Sequence, residues 1–191
     1  MILDIPNAFV QTYISLGGDK IIMNIRGQLV DIILENFPGV YNKCIRYKGE
    51  QNILYVRMLK ALYGMLVSSI CYYKHFRKDI KAIGLGVNTY DICAANQMKY
   101  GDQQIVTWHV NDLKSSHVDL KVNDEFSELC EETYGSDNLG HVKFTRGKIH
   151  DYLGIIMDFT QEVTLNINVK HYIKVMLEEL NYEIKAILKT A

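Results

Sequence analysis

Apolar and polar positions along the chain change period several times, and each change predicts an element. Residues 1–5 are apolar and β-prone apart from Asp4, and Pro6-Asn7 argues against the strand continuing. Gly17-Gly18 predicts a turn. Leu29, Val30, Ile33, Leu34 and Phe37 recur at helical spacing, with Phe37-Pro38-Gly39 as the stop. Residues 53–57 (ILYVR) read as a short strand. Ile70, Tyr73, Phe76, Ile80 and Ile83 form the stripe of a helix that Ser68 or Ser69 can cap and Gly84 follows.

Beyond that helix, residues 92–100 and 104–110 read as the arms of a hairpin around Gly101-Asp102. The second arm runs directly into Asn111-Asp112. A helix follows, with Val122, Phe126, Leu129, Cys130 and Thr133 on one face and Gly135 at its end. Strand-like pieces lie at 142–144, 152–159 and 163–169, and Tyr172, Ile173, Met176, Leu177 and Leu180 mark a last helix. Helices set on one face of an antiparallel sheet make an α+β domain. No Pro/Gly/Ser-rich linker divides the chain, so residues 1–180 are expected to be one domain and 181–191 a tail.

Composition narrows this picture only a little. The chain has 191 residues, 48% hydrophobic and 23% charged, enough for a sizeable core. A net charge of -1 excludes a uniformly basic nucleic-acid binder. The charge is uneven: residues 43–81 carry nine Lys/Arg against two acids, and 111–140 carry eight acids against two lysines. A basic stretch of this kind can follow a phosphate backbone; the simpler reading is two solvated faces of opposite sign. Cys44, Cys71, Cys93 and Cys130 form no CxxC pair and match no zinc spacing, so free thiols in a reducing, intracellular setting are expected. Neither a signal peptide nor a membrane-spanning run is predicted.

Two carboxylates could carry chemistry. Asp4 ends a β-prone segment, and Asp112 sits at a hairpin tip about a hundred residues later. Carboxylates gathered from strand ends can hold divalent cations for phosphoryl or nucleotidyl transfer, and Mg²⁺ suits such oxygen ligands. On spacing alone, Asn111-Asp112 reads more simply as a turn, because both residue types favour turns. His109 and His117 read as polar or partly buried histidines rather than as a metal pair.

Four segments together resemble the reverse transcriptase domain of copia-type retrotransposon polyproteins. LDIPNAF (3–9) resembles the family's first catalytic motif, and KALYGM (60–65), ahead of Ser68, its second. WHVNDLKSSHVD (108–119) resembles the third, normally an aromatic or His, any residue, then Asp-Asp, and HDYLGIIMDF (150–159) the segment that grips the primer. Their order and spacing match over nearly the whole chain.

The resemblance implies a palm with an antiparallel sheet, packed helices and a ferredoxin-like core, with most of the fingers absent. It implies that Asp4 and Asp112 hold Mg²⁺ or Mn²⁺, with the backbone carbonyl of Ile5 as a further ligand. Asn111 occupies the third catalytic position. Ala8 and Phe9 would lie under the incoming nucleotide, Phe9 rejecting a ribose 2′-hydroxyl. Gly64 would let the backbone approach nucleotide and template, and Leu153 and Gly154 would position the primer end. Read without the family, Phe9 is an ordinary core aromatic, Gly64 a turn glycine, and Leu153-Gly154 a bulged strand. The implied partners are primer–template, dNTP and the remaining parts of a Gag-Pol polyprotein, with no membrane. The implied setting is the cytoplasm, in virus-like particles, or the nucleus.

The pattern breaks at position 111, where the family has Asp and this chain has Asn. An amide keeps the shape but lacks the charge, so metal binding and alignment of the attacking hydroxyl are expected to suffer. The chain is also expected to lack the upstream fingers, whose Lys and Arg hold the triphosphate, and the downstream connection and RNase H regions. The apolar surface so exposed would favour self-association. Three functions remain open: an impaired RNA-directed DNA polymerase, a non-catalytic nucleic-acid-binding or interaction module, and a pseudogene product with no selected role. The RNP pattern of RNA-recognition sheets is not found, which weighs against one form of the second.

Overall fold

A computed structural model describes residues 1–14, 20–49 and 51–180. The predicted turn at Gly17-Gly18 and the tail 181–191 lie outside the described residues. In chain order the elements are β1 (Ile2–Asp4), α1 (Ala8–Gln11), β2 (Ile22–Arg26), α2 (Gln28–Asn36), β3 (Ile45–Lys48), β4 (Gln51–Arg57) and α3 (Ser68–Ala82). They continue with β5 (Gly86–Val87), β6 (Ala94–Lys99), β7 (Asp102–His109), β8 (Asp112–Ser116), α4 (Leu120–Tyr134), β9 (Lys143–Thr145), β10 (Ile149–Tyr152), β11 (Ile155–Asp158), β12 (Asn166–Asn168) and α5 (Lys170–Glu179). The fold is α+β with antiparallel sheets. Two compact units form: Met1–Pro6 with Asp79–Ala191, and Asn7–Lys78.

The first unit is built on a six-stranded sheet in the order β5-β6-β7-β8-β1-β9, antiparallel at every pairing. Side chains alternate between its faces. One face collects Leu3, Leu113, Trp108, Val106 and Ala95, all buried. Helix α4 packs on β8 and adds Val122, Phe126 and Cys130 to this core. Each large apolar side chain so buried contributes about 1.5–3 kcal/mol. Polar groups within this layer satisfy one another across four elements. Gln97 Nε2 donates to Gln104 Oε1 (2.8 Å), Gln104 Nε2 to Ser115 Oγ (3.1 Å), and Ser115 Oγ to Asn123 Oδ1 (2.8 Å). Removing one member would leave a buried neighbour unsatisfied, at a cost of about 1–3 kcal/mol.

The N-terminus of α4 is capped by Asp119, whose carboxylate accepts from the Lys121 amide. Gly135 closes the helix as expected, although with φ -76° it is not left-handed. A Cβ there would meet the Glu131 carbonyl oxygen at 2.6 Å, so close approach is what demands glycine.

A second sheet in the same unit, β10-β11-β12, is a meander. Residues 152–159, expected as one strand, fold as the end of β10, a two-residue turn at Leu153-Gly154, and β11. Both turn residues have positive φ, 56° and 76°, the backbone hand that suits a tight hairpin. Helix α5 follows, and its apolar residues Tyr172, Ile173, Met176, Leu177 and Leu180 are all exposed.

The second unit holds a three-stranded sheet, β2-β4-β3. Val30 of α2 is buried, and Ile25, Leu54 and Ile45 share one face of the sheet by register. The opposite face carries Arg26, Ile53 and Arg46 in one row, with Tyr55 and Arg57 further along β4. Ile53 is buried there while the three arginines and Tyr55 are exposed, which is how arginine stems cover an apolar floor. In α3 the expected Phe76 and Ile80 are buried together with Cys71 and Tyr72, whereas Tyr73 and Ile83 are half-buried and Ile70 is exposed. The Ser68 hydroxyl, at the start of this helix, donates to the Leu62 carbonyl at 2.6 Å.

Candidate functional site: a carboxylate pair at a hairpin tip

The expected pair meets. β1 and β8 run antiparallel, and their register sets Asp4 directly opposite Asp112. Directly opposed residues place their side chains on the same sheet face. That face is the one opposite Leu3 and Leu113, so both carboxylates stand clear of the core. The row extends to either side: β7 sets His109 opposite Asp112, and β9 sets Lys143 opposite Asp4.

The tip itself is the turn between β7 and β8. Its two central residues are Val110 and Asn111. Val110 has φ 54°, a left-handed value that a β-branched side chain rarely takes. The turn is tied down across the sheet. The Ile5 amide donates to the Asn111 carbonyl at 3.0 Å, and Asn111 Nδ2 donates to Asp4 Oδ1 at 2.6 Å. Ile5 is fully buried beyond the end of β1. The Asp112 carboxyl is pushed above its ordinary value, by burial first and by the neighbouring Asp4 charge second, with His109 pulling the other way.

Tyr152 is a contact that the sequence did not single out. Its hydroxyl donates to the Asp112 carbonyl at 3.4 Å, so the β10–β11 hairpin reaches the base of the tip. Burial pushes this hydroxyl above its usual pKa. Leu153 and Gly154 form the turn just past it. A Cβ on Gly154 would come within 3.3 Å of the Tyr172 ring, and its amide donates to Asp151 Oδ1 at 3.1 Å. Glycine at 154 is therefore explained by the turn and by α5 packing on it. His117 and His109 stand at opposite ends of the β7–β8 hairpin. The His117 ring spans the Asp119 backbone and the Lys99 carbonyl, as a structural histidine would.

The other expected residues belong to the second unit. Ala8 is buried in α1, and Phe9 packs against Tyr63 (ring centroids 4.7 Å) and Tyr72 (6.0 Å). Phe9 and the segment carrying Gly64 are thus neighbours. Gly64 has φ 86° with no atom within 4 Å of where a Cβ would stand, so its backbone conformation is what favours glycine.

No protein family, curated protein or solved structure matches the chain.

The donor set does not fit a two-cation centre. Such a centre needs carboxylate oxygens free to bridge two ions roughly 3.5–4 Å apart. Here one Asp4 oxygen already accepts a short bond from the Asn111 amide, and the third position presents N–H rather than an anionic oxygen. Among the described residues no three His, Cys, Asp or Glu side chains gather where a metal ion could be held. What the arrangement offers is a carboxylate pair in one cross-strand row, with Asp4 hydrogen-bonded to the Asn111 amide.

Proposed function

We propose that the chain is a palm of reverse-transcriptase type, related to copia-type retrotransposon polymerases, whose nucleotidyl transfer is impaired by Asn111. The observation that carries this reading is the register that sets Asp4 opposite Asp112, with Asn111 hydrogen-bonded to Asp4 at the tip. Support also comes from connectivity. Strands β1, β7, β8 and β9, with α3 and α4 as crossovers, give β-α-β-β-α-β with spatial order β7-β8-β1-β9, the order of a ferredoxin-like core. In the family the two acids hold Mg²⁺ or Mn²⁺ with the Ile5 carbonyl; Ala8, Phe9 and Gly64 contact the nucleotide, and Leu153-Gly154 the primer. In this chain the pair positions nucleic acid and nucleotide poorly or not at all for transfer, because the charge expected at 111 is gone.

A second reading, nucleic-acid binding without catalysis, is favoured by the sheet face bearing Arg26, Arg46 and Arg57 around Tyr55. Guanidinium groups pair with phosphates, and an exposed aromatic can stack on a base.

One experiment addresses both. Primer extension on RNA and DNA templates is measured with Mg²⁺ and with Mn²⁺, for the chain and for Asn111→Asp, alongside primer–template binding as a function of salt. The first reading expects little extension by the chain and at least about tenfold more by Asn111→Asp. Equal extension by both forms defeats it. Tight, salt-dependent binding with no extension by either form favours the second, and replacing each arginine by Ala should then lower the salt slope by about 1.

A further inference from the structure

Two carboxylates directly opposed across adjacent strands repel each other and are expensive to hold together without a counter-charge. The chain sets polar nitrogen groups around this pair. Asn111 Nδ2 donates to Asp4 Oδ1 at 2.6 Å, and the Asn111 carbonyl is fixed in turn by the Ile5 amide at 3.0 Å. The same cross-strand row puts Lys143 next to Asp4 on β9 and His109 next to Asp112 on β7. The Asp4–Asp112 row is therefore flanked by a nitrogen-bearing side chain on each side, and the Asn111 amide at the tip is bonded to Asp4.

We infer that these groups, Asn111 above all, stand in for a divalent cation, so that the folded unit needs no metal and Asn111→Asp would create a dependence on one. An aspartate at 111 would put a third carboxylate where the amide now donates. The hydrogen bond would become a repulsion, and a metal ion would be the natural remedy. This inference rests on the register and the Asn111–Asp4 bond alone, and it holds whether or not the chain copies a template.

Thermal unfolding of the full chain in EDTA and in MnCl₂ tests it. The chain as it stands should melt at the same temperature in both. Asn111→Asp should melt about 5 °C lower in EDTA and recover most of that in Mn²⁺. The exchange variant, Asp4→Asn together with Asn111→Asp, keeps one amide and one carboxylate in contact with their roles reversed. It should restore both the melting temperature and the indifference to metal. A chain that gains as much from Mn²⁺ as Asn111→Asp does would overturn the inference. So would an exchange variant as unstable as the single one, a readout that remains decisive if Asn111→Asp alone does not fold in EDTA. Loss of the polymerase reading would show in primer extension and leave these melting curves unchanged.

Discussion

Strand β7 is closed at both ends by two-residue turns, and the two turns are built differently. Tyr100-Gly101 joins β6 to β7, and Val110-Asn111 joins β7 to β8. Each is followed by an aspartate, with Lys99 opposite Asp102 at one and His109 opposite Asp112 at the other. At the first, both central residues have positive φ (52° and 92°) and glycine takes the more extreme value. Its neighbours are satisfied locally: Lys99 pairs with Glu125 of α4 at 2.8 Å, and the Tyr100 hydroxyl donates to the same carboxylate at 3.2 Å. At the second, Val110 alone is positive, in a position glycine ordinarily takes, and the aspartate has a second carboxylate, Asp4, opposite it on the neighbouring strand. The first turn obeys local backbone chemistry. The second departs from it at the place where Asp4, Asn111 and Asp112 converge, and strain of this kind concentrates at functional sites.

Three substitutions would sharpen or break that contrast. The largest effect is expected from Gly101→Val, which installs at the relaxed turn the residue type found at the strained one. Nothing lies within 4 Å of a Cβ there, so the cost is conformational, about 2 kcal/mol, and Tm should fall by about 6 °C. A Gly101→Val protein as stable as the parent would show that these turns tolerate β-branched residues and that Val110 carries no strain. Val110→Gly should do the reverse and gain about 1 kcal/mol, measured by urea unfolding, because relief at φ 54° outweighs the added freedom of the unfolded chain. Lower stability would mean that the Val110 side chain contributes more by packing than it costs.

The smallest effect is expected at Asp112. Its pKa is raised in the folded state above the ordinary 3.8, so the folded chain takes up the proton first as pH falls. Ionised Asp112 therefore lowers stability at neutral pH, and the penalty fades as pH drops through the raised folded value toward 3.8. Asp112→Asn should be slightly more stable at neutral pH, with the gain vanishing in acid. A gain that persists unchanged below the ordinary carboxylate range would locate its cause elsewhere than in charge.

Periodicity revealed most of the elements: α2, α4 and β4 fall where apolar spacing places them, and in α4 burial follows that spacing. It failed where a residue's chemistry did not announce its backbone. The first hairpin turn is Tyr100-Gly101 rather than Gly101-Asp102, since glycine fits either turn position and tyrosine does not advertise a positive φ. Leu153 hid the β10–β11 turn in the same way. In α3, Phe76 and Ile80 of the predicted stripe are buried, but Ile70 at its start is exposed and Cys71 and Tyr72 are buried in its place. The candidate site was legible only as two separate aspartates. That Asp4 and Asp112 share a row with Lys143 and His109 is a matter of register between strands far apart in sequence, and no local pattern encodes it.

That separation bears on the order of events during synthesis. The hydrogen bond between Asn111 and Asp4 closes a span of 107 residues, and among the described residues β1 pairs with β8 and β9. A ribosome adding about 5–20 residues per second leaves β1 without its partners for roughly ten seconds. Closing so long a loop is also slow among folding steps, because its entropy must be lost before the contacts form. Strand β1, beside the edge strand β9, is thus made well before its partners and is among the last to be covered, and the site is born only once the turn at Val110-Asn111 has been synthesised.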